Sequence, residues 1–128
     1  MSFKQFLTES KEQSKGIVLN IEDETVNNKN YRKVVWTGKN LQLVLMSLKP
    51  NEEIGEEIHN VDQFFRIDSG SGTFVLDGQK YDIKNGSAFT IPANVKHNVI
   101  AGSEGLKVYT IYAPPHHKAG LIEKDKSE

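Results

Sequence analysis

The sequence contains no cysteine, which excludes disulfides and thiolate metal ligands and fits a reducing compartment. It also lacks any apolar run near the ~20 residues that a membrane-spanning helix needs. Its first stretch, MSFKQFLTESKEQSK, interrupts apolar residues with lysine and glutamate every few positions, so it has no secretory h-region. Neither sign of charge dominates: 16 Lys and Arg stand against 17 Asp and Glu. Such a balance gives no broad attraction to nucleic acid or to an anionic membrane. A soluble cytoplasmic protein is the expectation. Histidine is scarce, with four in the chain, so their positions carry weight.

What is abundant is short runs of β-branched and aromatic residues. GIVLNI, YRKVVWTG, LQLVLMSL, QFFRI, GTFVLDG, QKYDI, SAFTIP, HNVIAG and LKVYTIYAP are separated by turn formers such as GKN, KPNEEIG, DSGSG and KNG. Asp77-Gly78 is a two-residue hairpin signal. This spacing, with no helical period after residue 16, predicts an all-β sandwich or barrel. Before it, residues 1–15 can form a short helix presenting Phe3, Phe6 and Leu7, or an irregular arm. The expected organisation is an N-terminal arm and first strand over 1–30, a barrel over 31–115 and a charged, loosely packed tail over 116–128.

Chemistry concentrates in GEEIHNVDQFFRIDSGSG, residues 55–72. On a strand, Glu57 and His59 point to one face, their backbones about 7 Å apart, while Ile58 points to the other. Asn60-Val61-Asp62 reads as a turn, after which Gln63, Phe65 and Ile67 face inward and Gln63 returns opposite the Glu57/His59 pair. A second polar anchor lies in GSAFTIPANVKHNVIA, where Pro92 closes one strand and His97 opens the next.

These two stretches resemble the paired motifs of the cupins, and the resemblance covers roughly Tyr31 to Pro115. The first motif is G, five residues, H-x-H, three or four residues, E, six residues, G. The second is G, five residues, P-x-G, two residues, H, three residues, N. The present sequence keeps Glu57-x-His59, three residues, Gln63, six residues, Gly70, and then Gly86, five residues, Pro92 and His97. Glu57 stands for the first histidine, Gln63 for the glutamate, Asn94 for the inner glycine and Ala101 for the final asparagine, and Gly55 lies closer to Glu57 than the motif's glycine. GEEIH, DQFFR and YTIYAPPHH are similar to a subgroup of small single-domain cupins called mannose-6-phosphate-isomerase-like.

The resemblance implies a double-stranded β-helix, a conical barrel of jelly-roll type, with Glu57, His59, Gln63 and His97 at four metal-ligand positions. Two imidazoles, a carboxylate and an amide oxygen suit a divalent Zn, Fe, Ni or Mn ion. It further implies either an isomerase, epimerase or dioxygenase acting on a small sugar-like or oxo-acid substrate, or a non-catalytic binding module. Tyr112, His116 and His117 are the candidate acid–base residues. Arg66 and Lys96, the basic residues nearest the motifs, are out of phase with the inward positions, which argues against a phosphate subsite. Ile58 and Phe64, also out of phase, are the expected contacts of a homodimer.

Overall fold

The computed structural model describes residues 15–127, so the proposed N-terminal helix with Phe3, Phe6 and Leu7 lies outside the described residues. After an extended stretch comes one short helix, α1 (Ile21–Asn27), followed by β1 (Arg32–Thr37), β2 (Gln42–Leu48), β3 (Asp62–Leu76), β4 (Gln79–Lys84), β5 (Ala88–Ile91), β6 (His97–Ala113) and β7 (Ile122–Glu123). The strands pair antiparallel in the order β4-β3-β6-β2-β1-β7, with β5 on β3. The all-β jelly roll is the observed architecture.

Two strands organise it. QFFRI and GTFVLDG fuse into β3, and HNVIAG and LKVYTIYAP fuse into β6. Their pairing runs from Asp62↔Ala113 to Leu76↔His97, with register shifts between Ile67 and Ser69 and between Gly70 and Gly72. Such irregularities bend a ladder without ending it, so each strand serves both halves of the barrel. The first half of β3 meets β5 and the second half meets β4. Asp77 and Gly78 both have positive φ (48° and 84°), the conformation a two-residue type I′ hairpin requires.

Inward positions alternate along the strands, as the pleat demands. Val34, Val44, Met46, Ile67, Val99 and Val108 belong to one buried cluster. Phe89 stacks on both Phe65 and Phe74, at centroid distances of 5.0 and 4.0 Å.

Two sequence expectations need correction. GIVLNI is not a strand, and residues 15–30 contain none; α1 stands there instead. Asn20 caps it by accepting from the Asp23 N–H (3.0 Å), and Glu22, Asp23 and Glu24 fill its first turn, where the helix dipole favours acids. Capping and charge thus override the β-branched residues. Nor is the tail loosely packed. β7 pairs with β1, Leu121 packs on the core, and the Lys126 ammonium donates to the Glu53 carbonyl (2.6 Å).

The glycines at the strand crossover yield a test. Gly70 has φ +93°, and a Cβ built there would lie 2.1 Å from the Gly105 carbonyl oxygen. Gly86 has the same φ but open space around it. Gly86→Ala should therefore cost only left-handed strain, about 1 kcal/mol. Gly70→Ala should cost at least about 3 kcal/mol, because backbone must move as well. Urea denaturation of both variants checks the ranking, and equal losses would contradict it.

Candidate metal centre

Glu57 and His97 sit directly opposite one another in an isolated antiparallel bridge, each N–H donating to the other's carbonyl at 2.9 Å. Side chains at such a paired position emerge on the same face. His59 follows two residues after Glu57, and its carbonyl accepts from the Asn94 N–H (2.6 Å). Asn94 has φ 68°, so asparagine takes the left-handed turn for which the motif uses glycine, a conformation it tolerates better than most residues. The Asp62 carboxylate accepts from the Ala93 N–H (2.9 Å), tying this loop to the start of β3.

The geometry brings one oxygen of Glu57 and one nitrogen each of His59 and His97 within 4.8 Å of one another. His59 Nε2 lies 3.1 Å from Glu57 Oε1. The Nδ1 of His97 pairs with the Val95 carbonyl (2.9 Å), a contact that orients the ring and leaves Nε2 free. Burial pushes the Glu57 carboxyl upward, but the His59 hydrogen bond and charge, with His97 and Arg32, outweigh it and hold it below its ordinary value. Glu57 is therefore an anion at neutral pH.

Gln63 is buried on β3, and its Nε2 donates to Thr110 Oγ1 (3.0 Å). Its Oε1 is buried without a hydrogen-bond partner. A buried acceptor left unpaired costs free energy of about 1–3 kcal/mol, and a cation answers that need. Ligand atoms on one ion at about 2.1 Å lie at most about 4.2 Å apart, so the three donors need only a small closure. The residues present fit a divalent ion.

Above the triad lies the segment that follows β6. The His116 ring stands 4.3 Å from that of His59 and stacks against Tyr112 at 5.3 Å. His117 Nε2 is 3.2 Å from the Tyr112 hydroxyl. Burial, then the Arg32 charge, lowers His117 to about 4, while burial keeps the Tyr112 phenol well above its ordinary value. Burial and the neighbouring His59 also lower His116. Both histidines are thus neutral at pH 7.

Arg66 and Lys96 are engaged away from this cluster, with Asp68 (3.7 Å) and Glu56 (4.0 Å). The cation that the sequence reading missed is Arg32. It alternates with the core residue Val34, pairs with Glu123, keeps a buried Nε without a partner, and its charge acts on Glu57, Tyr112, His116 and His117. Its place beside β1's inward Val34 was the available signal. Gln42, the buried polar residue that opens the mostly apolar β2, was also missed.

With this geometry in place, comparison with known proteins is informative. The cupin domain family, Cupin_2, matches residues 44–112, and the chain belongs to it. The chain is 43% identical over 122 residues to the uncharacterized protein YrkC of Bacillus subtilis, a match covering 89% of this chain and 66% of YrkC. It thus spans slightly less than two thirds of that relative. The crystal structure of BH2720 from Bacillus halodurans superposes with a TM-score of 0.84 at 39% identity, covering 87% of this chain and 90% of that one. A shorter match, 29% over 69 residues, covers 54% of this chain and 45% of the dimethylsulfoniopropionate lyase DddW of Ruegeria pomeroyi.

The His117 environment predicts a pH effect in the metal-free protein. Its folded value of about 4 lies below the ordinary 6.5, so the unfolded chain binds the proton first as pH falls. The stabilisation is complete above 6.5 and is lost between 6.5 and about 4. Glu57, held low, adds a loss of the same sign at more acid pH. Thermal midpoints of wild type should fall across this window, and His117→Gln should flatten the upper part. A His117→Gln profile parallel to wild type would contradict the assignment.

Proposed function

We propose that this cupin is a metal-dependent enzyme holding one divalent ion through Glu57, His59 and His97, with Gln63 Oε1 completing the set. The observation that carries this is the convergence of three oriented donors with a buried amide oxygen that has no other partner. Two imidazoles and one carboxylate form the facial set used for Fe(II), and the same donors accept Zn, Ni or Mn. Bound there, the ion supplies Lewis acidity toward a small substrate with adjacent oxygen donors, or activates water or dioxygen.

The chain's own residues supply the remainder. Tyr112 and His117 form a protonated phenol and a neutral imidazole in contact, a pair held by burial in its uncharged form and able to hydrogen-bond a substrate without exchanging a proton with it. The His116 ring stacks on Tyr112 beside the cluster, and Arg32 adds positive potential that favours an anionic oxygen substrate. Isomerisation or epimerisation and dioxygen-dependent oxidation are the reaction types this arrangement suits. The partial likeness to DddW, a lyase, is consistent with an enzyme and does not specify the reaction.

Elemental analysis after purification should find a single divalent ion per chain. His97→Ala removes an imidazole and should abolish retention while the apolar core keeps the barrel folded. Gln63→Ala, which removes a neutral dipole, should weaken binding by about 10- to 100-fold, less than Glu57→Ala, which removes a charge. Unchanged metal in His97→Ala would remove the site. A folded, metal-replete protein without turnover across carboxylate and sugar substrates would favour a binding module.

A further inference from the structure

Gln42 has no exposed surface, yet each of its polar atoms is paired with its surroundings. Its Oε1 accepts from the N–H of His116 (3.0 Å) and of His117 (2.8 Å). Its Nε2 donates to the His117 carbonyl (2.7 Å) and to Thr37 Oγ1 (2.9 Å). One buried amide on β2 therefore grips both backbone N–H groups and one carbonyl of an otherwise irregular segment, and Thr37 on β1 fixes the amide in turn.

That segment has few other reasons to lie where it does. Pro114 and His116 are exposed, so little apolar burial holds it. The consequence of the grip is nevertheless specific. It hangs His116 over His59 at 4.3 Å, flat against Tyr112, and brings His117 to the Tyr112 hydroxyl. A free loop would give these two histidines no fixed relation to the triad.

We infer that Gln42 is a positioning residue whose role is to suspend His116 beside the metal position as a hydrogen-bond donor to an oxyanion, such as a carboxylate, coordinated next to His59. The inference rests on the metal reading above and adds the subsite and ligand class. A neutral imidazole offers one N–H, and a carboxylate on the ion presents a second oxygen to receive it. Arg32 raises the local potential in the same direction. The ion and His116 then select together for a ligand with one oxygen on each.

The test uses the full chain loaded with Co(II), followed by NMR of ring protons and by acetate titration monitored in the visible spectrum. In wild type, His116 ring signals should be displaced by the paramagnetic ion together with those of His59 and His97. Gln42→Ala should retain cobalt and leave His59 and His97 displaced, while the His116 signal moves toward its diamagnetic position. Acetate affinity should fall about tenfold, the loss expected for one hydrogen bond to a charged group. His116→Ala should lose as much, and the double variant no more than either single one, because Gln42 acts through His116. Should the alanine cavity unfold the barrel, Gln42→Met, which fills the volume without polar atoms, carries the same expectations. Additive losses, or His116 still displaced in the Gln42 variant, would overturn the inference. Cobalt uptake with His116 undisplaced in wild type would overturn it alone, whereas no cobalt uptake would overturn the metal reading and this inference with it.

Discussion

The antiparallel pairing of β3 with β6 is the interaction on which the rest of the molecule depends. It runs through both halves of the barrel; β2, β4 and β5 pair with it directly, and β1 and then β7 follow through β2. Strands this long remain continuous because the ladder shifts register near Gly70 and Gly72, where the opposing backbone approaches too closely for a side chain. Gln63, Thr110, Tyr112 and His97 all lie on these two strands. The spacing between them is therefore set by a hydrogen-bonded ladder and inherits its rigidity.

Around this frame the polar groups are distributed unevenly. The buried core cluster is apolar, and one group of polar side chains, Glu57, His59, Gln63, His97, Tyr112 and Arg32, lies together at the candidate site. Low local dielectric strengthens each of their interactions. It also explains why the histidines above the triad stay neutral while Glu57 keeps its charge: burial disfavours every ion, but the imidazoles and Arg32 that favour the Glu57 carboxylate disfavour a second cation at His116 or His117. Burial opposes the charge of Arg32 as well, and its pairing with the Glu123 carboxylate sustains it. A centre of this kind is assembled from opposing pressures on each group's proton.

The candidate site was legible in the sequence where it followed strand periodicity: Gln63 and Phe65 share a face of β3 and His97 opens β6. Glu57 and His59 lie on no regular strand, and it is the Glu57–His97 bridge that sets them beside His97. Asn94 could be recognised by its spacing although its identity differs, since asparagine meets the same backbone demand. Other features depended on partners distant in the chain. Gln42 looks like a polar interruption until the backbone of His116 and His117 arrives from 74 and 75 residues away. Arg32 shares a face with inward Val34, the one local sign of its position, while its relation to Tyr112 and Glu123 is wholly tertiary. The helix at Ile21 was hidden for the opposite reason: Asn20 and three acids act locally, while the adjacent Ile and Val residues suggest a strand.

The stretch that carries Glu57 and His59 forms no regular strand; two isolated bridges, Glu53↔Ile100 and Glu57↔His97, and spaced hydrogen bonds tie it to β6. The barrel thus has a seam without a continuous ladder, and two of the proposed ligands lie on it while His97 lies on β6. An ion joining them would act as a rivet across that seam. Its release and the seam's local opening would then be one event, so that the lifetime of the bound ion and the hydrogen-exchange rate of the Ile54 and Glu57 amides would be governed by the same motion.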